Sequence, residues 1–116
     1  MIFNGRLSVA RFLNREVIFT ASSREYLDFI LERLSEADGI TFRPMMGEFI
    51  IYLNGKIIGG IYDDRFLLKP VDTLKSVIKT VSYEIPYKGG KAMLLADDVD
   101  DSEYLCKLIY SVYEGL

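Results

Sequence analysis

Apolar residues recur at three- and four-residue intervals at Tyr26, Leu27, Ile30, Leu34 and Ala37, which predicts a helix with one buried face over residues 22–37. Ahead of it, Ser22-Ser23-Arg24-Glu25 reads as a capping box. The Ser22 hydroxyl and Glu25 carboxylate take up free helix-start amides, and Asp38-Gly39 supplies the stop. After Gly39 the pattern changes to short runs rich in β-branched and aromatic residues, at 40–46, 49–53 and 56–62. Asn54-Gly55 suits the positive φ angles of a two-residue type I′ turn, so the second and third runs form a hairpin. Gly59-Gly60 marks a bulge or a close backbone approach, and Asp63-Asp64-Arg65 turns the chain into a fourth run at 66–69.

Pro70 ends this meander, and Asp72 is placed to cap a short helix whose Leu74, Val77 and Ile78 face inward, stopping near Thr80. Residues 81–85 read as a short strand, 86–91 as a loop with paired glycines, and 92–96 as a further strand or extended segment. Asp100 and Glu103 are spaced as a second capping box, ahead of a stripe of Leu105, Leu108, Ile109, Val112 and Leu116. This order predicts an α+β fold, a two-layer sandwich. An antiparallel sheet, built of the meander and one or two further strands, carries helices on one face. Residues 1–20 show neither alternation nor a clear helical stripe, although Val9, Phe12, Leu13 and Val17 share one side of a short helix. They read as an extension ahead of a single domain at 21–116.

Composition narrows the chemistry. With 116 residues, 50% of them apolar, the chain holds one sizeable core. A formal charge of -3 is the wrong sign for gripping phosphate backbones with the whole surface and leaves only local basic patches. Histidine is absent, which removes imidazole as base, nucleophile partner or metal ligand. The single cysteine, Cys106, has no intramolecular disulfide partner and sits in an apolar helical pattern, as a buried, inert thiol does. The apolar runs are strand-sized, far below the roughly 20 residues of a membrane span. Arg6, Arg11 and Arg15 near the start lack the compact apolar region of a secretory signal, so the expected location is cytoplasmic.

Several motifs offer chemistry and a plainer role side by side. Asp97, Asp98, Asp100, Asp101 and Glu103 resemble a hard-cation cluster, yet carboxylates at a helix start also complement its dipole and cap its amides, and no metal is expected. Lys88-Gly89-Gly90-Lys91 sets two lysines beside flexible backbone, either a phosphate cradle or a surface turn. Asp63-Asp64 is an acid pair in a turn, with no catalytic dyad expected there. Tyr52, Tyr62, Tyr87 and Tyr104 either face solvent in part and serve an interface or, the commoner case for any single tyrosine, cover the sheet and line the core. Arg43-Pro44-Met45-Met46-Gly47-Glu48 puts a cation, two adaptable thioethers and a carboxylate into a turn, which serves equally as a docking edge or as core filling by the methionines. The candidate interaction surface is therefore Arg43, Met45, Met46, Glu48, Lys56, Tyr62, Asp63, Asp64, Arg65, Lys88 and Lys91. No catalytic residue and no cofactor is expected.

Ala21-Ser22-Ser23-Arg24-Glu25-Tyr26-Leu27-Asp28-Phe29, then Arg43-Pro44-Met45-Met46-Gly47-Glu48, resemble the TfoX N-terminal domain family. So do the stretch from Gly55 to Pro70, with Gly59-Gly60-Ile61-Tyr62-Asp63-Asp64-Arg65 at its centre, and Met93-Leu94-Leu95 with Asp97-Asp98. The resemblance implies a fold similar to the secretion-chaperone type. It also implies a non-catalytic role in regulating competence genes, as a homodimeric co-activator that binds transcription machinery or the cyclic-AMP receptor protein. It matches only the N-terminal of the family's two domains. The alternative is direct nucleic-acid binding through Arg43, Lys56, Arg65, Lys88 and Lys91 with tyrosines between them.

Overall fold

In the computed structural model, which describes residues 22–116, Ser23 opens the first helix, α1 (Arg24–Arg33), by accepting the Tyr26 amide on its hydroxyl at 3.0 Å. The extension assigned to 1–20 lies outside the described residues. The cap falls one residue later than predicted because Ser22 is committed elsewhere: its hydroxyl accepts the Asp64 amide at 3.1 Å. The helix also ends earlier, with Leu34 as C-cap, and tight turns lead on to Gly39 at φ +89. Leu34 and Ala37 are nevertheless buried, so the predicted apolar face is intact.

Six strands follow: β1 (Ile40–Met45), β2 (Glu48–Leu53), β3 (Lys56–Tyr62), β4 (Arg65–Leu68), β5 (Tyr83–Glu84) and β6 (Met93–Leu95). They form one antiparallel sheet in the order β1-β2-β3-β4-β6-β5. Each hairpin of the β1–β4 meander turns on two residues of positive φ: Met46-Gly47 at 52 and 83, Asn54-Gly55 at 51 and 82, Asp63-Asp64 at 53 and 52. The expected irregularity lies beside the glycine pair. Ile51 faces Gly59 while Tyr52 faces Ile57, leaving Ile58 as the bulged residue. Gly59 and Gly60 serve close approach instead. A Cβ on Gly59 would strike the Leu67 carbonyl oxygen, and one on Gly60 would lie 2.8 Å from both the Phe49 carbonyl and the Tyr62 ring.

Helix α2 (Asp72–Lys75) is shorter than predicted and Asp72 does not cap it; Val71 holds that position without a side-chain bond. Leu74 and Ile78 are buried, whereas Val77 is half-buried. Helix α3 (Ser102–Glu114) is capped by Asp101, which accepts the Tyr104 amide at 3.1 Å, and not by Asp100. Its stripe of Leu105, Leu108, Ile109 and Val112 is fully buried, but Leu116 lies past the helix end and is exposed. Two more members of the acidic cluster are engaged. Asp97 accepts the Tyr104 hydroxyl at 2.6 Å and the Thr80 amide at 3.0 Å, while Asp98 pairs with Lys79 at 2.8 Å. Among the described residues no group of three acidic or sulfur side chains is placed to hold a metal, and no helix is long and apolar enough to cross a membrane.

The helices pack on one face of the sheet, over Ile51, Leu53, Ile58, Ile61, Phe66, Leu68 and Leu94. A clasp fixes α1 to the β3–β4 turn. The Asp64 carboxylate, 8% exposed, accepts the Ser23 amide at 2.7 Å and lies 3.2 Å from the Ser23 hydroxyl. Losing a buried charged acceptor costs about 2 kcal/mol, so Asp64→Ala lowers the urea midpoint by that equivalent. Asp64→Asn, which still tolerates positive φ and offers an oxygen, loses less.

Candidate functional site: the helix-free face of the sheet

Strand alternation sends Glu48, Ile50 and Tyr52 of β2 away from the helices, opposite to Phe49, Ile51 and Leu53. The register aligns Arg43, Ile50, Gly60, Leu67 and Leu95 in one row across this second face, and Met45, Glu48, Tyr62 and Arg65 in the next. Ile50, Tyr62 and Leu67 make a small apolar cluster there, with Tyr52, Met93 and Leu95 packed against it. The Tyr62 ring is folded back over Gly60, where any side chain would displace it. Tyr87 meets Tyr62 at 6.1 Å between ring centroids and remains exposed.

Arg65 organises the border of this face. Its guanidinium pairs with Glu84 at 2.8 Å and donates to the carbonyls of Tyr62, Ile85 and Pro86 at 3.0, 3.1 and 3.2 Å. That fork ties β5 and the following loop to β4, so Arg65 is a structural anchor and does not present its charge to a partner. Burial pushes the Tyr62 phenol up to about 12, with the Glu48 and Tyr87 charges adding to it. Glu48 is also raised by burial, against the pull of Arg65.

The structure gathers part of the predicted surface and disperses the rest. Arg43, Met45, Glu48 and Tyr62 share the helix-free face, Met46 tops the β1–β2 turn, and Lys88 and Lys91 sit on the exposed loop beyond β5. Lys56 does not join them. It stands at the far end of the hairpin with its ammonium 5.3 Å from the Tyr113 ring on the helix side. Asp63 and Asp64 are buried in the β3–β4 turn, at 2% and 8% exposure, and hold structure instead of facing solvent. Tyr62 and Tyr104 are also buried and take the core role instead of the interface one, since one covers Gly60 and the other bonds to Asp97. Cys106 is half-buried, and burial raises its thiol pKa, which keeps it protonated and unreactive.

Met46 is the outlier of the site. It occupies the left-handed region at φ 52, where a bulky side chain costs roughly 1–2 kcal/mol, and its side chain is 96% exposed. The equivalent position of the next hairpin is Asn54, a residue suited to that backbone. Met45 beside it is 47% exposed, and with Glu48 and Tyr87 the two methionines line a cavity of about 380 Å³.

An uncharacterized 12.7 kDa protein in the trpE 5′ region of Spirochaeta aurantia is 30% identical to the chain over 79 residues, which cover 68% of the chain and 69% of that protein. No protein-family model matches the chain, and no solved structure matches it.

Proposed function

The chain belongs to the family of the 12.7 kDa Spirochaeta aurantia protein, and from that premise we propose that it is a cytoplasmic, non-catalytic protein-interaction module that acts in bacterial transcription regulation. The observation that carries the reading is Met46: a strained, fully presented thioether at a turn where asparagine or glycine folds better. Its neighbours extend the edge with Met45, Glu48 and Tyr87. The sequence resemblance to the TfoX N-terminal domain supports transcription machinery or the cyclic-AMP receptor protein as the partner, and competence genes as the target. It also supports a homodimer. Among the described residues β1 and β5 are the sheet edges, and β1, with six residues, is the longer edge open to a second copy.

Direct nucleic-acid binding draws less support. Arg65 spends its fork on Glu84 and three carbonyls, and Lys56 faces the helix side, which leaves only Arg43, Lys88 and Lys91 of the five basic residues expected to form the patch. Met46→Asn separates function from folding. It relieves the turn and raises stability by about 1 kcal/mol, while binding to purified RNA polymerase or cyclic-AMP receptor protein falls at least about tenfold, as loss of a central apolar anchor demands. Surface-immobilised titrations with urea melts of the same samples read both quantities. Unchanged binding by a stabilised variant would end the docking-edge reading.

A further inference from the structure

A second cavity, of about 480 Å³, opens on the helix-free face between the end of β4 and the loop joining β5 to β6. Small-molecule sites span roughly 300–1,000 Å³. Two cationic side chains from separate elements line it, Lys69 after β4 and Lys91 on the loop, and no acidic residue does. Neither ammonium has an ion-pair or hydrogen-bond partner among the described residues.

The remaining wall is aromatic and apolar: Tyr62, Tyr87, Pro86 and Met93. Tyr62 lines the cavity, is 7% exposed, and its hydroxyl makes no hydrogen bond to the described residues, which leaves a donor unused. The loop is built to hold Tyr87 at the rim. The Gly90 amide donates to the Tyr87 carbonyl at 2.9 Å, and a Cβ on Gly90 would lie 3.0 Å from the Tyr87 ring and 3.1 Å from Pro86. Gly89, at φ +85, closes this turn in open space.

We propose that this cavity binds a small phosphorylated ligand carrying a flat ring, the chemistry of a nucleoside monophosphate. Lys69 and Lys91 neutralise the phosphate, the tyrosine rings take the face of the base, and the Tyr62 hydroxyl donates to a ligand acceptor. The Lys88-Gly89-Gly90-Lys91 turn then does more than reverse the chain: it sets one ammonium and one ring on the same ligand. This cavity adjoins the docking edge at Met46 and shares Tyr87 with it, while Lys69 and Lys91 belong to this cavity and not to that edge.

Calorimetric titration of the full chain with AMP, GMP, CMP and UMP at low salt tests it, with adenosine and inorganic phosphate as separate arms. The expected result is saturable binding of at least one monophosphate. Adenosine and phosphate each bind at least about tenfold more weakly, since each offers half of the recognised chemistry. Lys91→Met, on an exposed loop, keeps the melting temperature and weakens that monophosphate at least about tenfold, and Tyr87→Ala does the same. The Gly89 and Gly90 amide signals shift on titration. Absence of saturable binding by all four monophosphates overturns the proposal, as does binding that Lys91→Met leaves unchanged. Phosphate binding as tightly as the nucleotide overturns the ring component.

Discussion

Between pH 10 and pH 12 the protein is expected to unfold cooperatively in an alkaline titration, with phenolate absorbance and loss of secondary structure rising together. Three buried tyrosines cause this. Burial is the leading reason that Tyr26, Tyr62 and Tyr104 are each pushed from 10.0 up to about 12. Nearby negative charge adds to it, from Asp64 and Asp100 at Tyr26 and from Glu48 at Tyr62, while at Tyr104 the hydrogen bond to Asp97 adds. The folded chain therefore holds these protons more tightly than the unfolded chain does. The stabilisation is complete below pH 10 and disappears as pH rises through the folded values near 12. A shift of two pH units corresponds to about 3 kcal/mol for the deeply buried Tyr26 and to less for Tyr62 and Tyr104, whose charges water screens more, so the three together remove a large share of the roughly 5–15 kcal/mol that holds a domain of this size. Tyr62→Phe flattens the alkaline limb without a neutral-pH loss, because its hydroxyl bonds to none of the described residues. Tyr104→Phe flattens it and also loses the bonds to Asp97 and to the Lys79 amide. Phenolates that form before the fold is lost would contradict the assignment.

Gly59→Ala is expected to be the most damaging single methyl in the domain. A Cβ there meets the Leu67 carbonyl oxygen and lies 3.0 Å from the Leu68 Cα, both backbone atoms of the adjacent central strand. Backbone in a paired ladder yields only by breaking pairing, so the cost is about 3 kcal/mol, at the upper end of overpacking effects. Gly55→Ala is the reference: its Cβ meets nothing within 4 Å, and the penalty is only the positive φ of +82, about 1 kcal/mol. Urea denaturation of both variants reads the difference. Equal losses would mean that glycine's freedom, and not space, decides at position 59.

Much of this was legible in the sequence because the local signals were strong. Asn54-Gly55 fixes a two-residue turn by its backbone preference alone, and the stripe from Leu105 to Val112 has one way to bury itself. The caps of α1 and α3 fall one residue away from the predicted serine and aspartate because neighbouring polar residues compete, and tertiary partners choose among them. Ser22 went to Asp64, and Ser23 took the cap. The candidate site was half legible for a related reason. Alternation along β1 and β2 brings Arg43, Met45 and Glu48 to one face, but no local pattern shows that Arg65 is consumed by Glu84, nineteen residues on, or that Asp64 reaches back to Ser23 across forty-one. Nothing local in the sequence singles out Lys69; only the fold brings it to one cavity with Lys91.

Site-specific photo-crosslinking from position 46 in growing bacteria, with position 56 as reference, tests the central claim most directly. Position 46 tops the strained turn on the helix-free face, and position 56 lies at the other end of the sheet with its side chain toward Tyr113. The account predicts one discrete adduct with a component of the transcription machinery from position 46 and none from position 56. No protein adduct from position 46, or the same adducts from both positions, would contradict it.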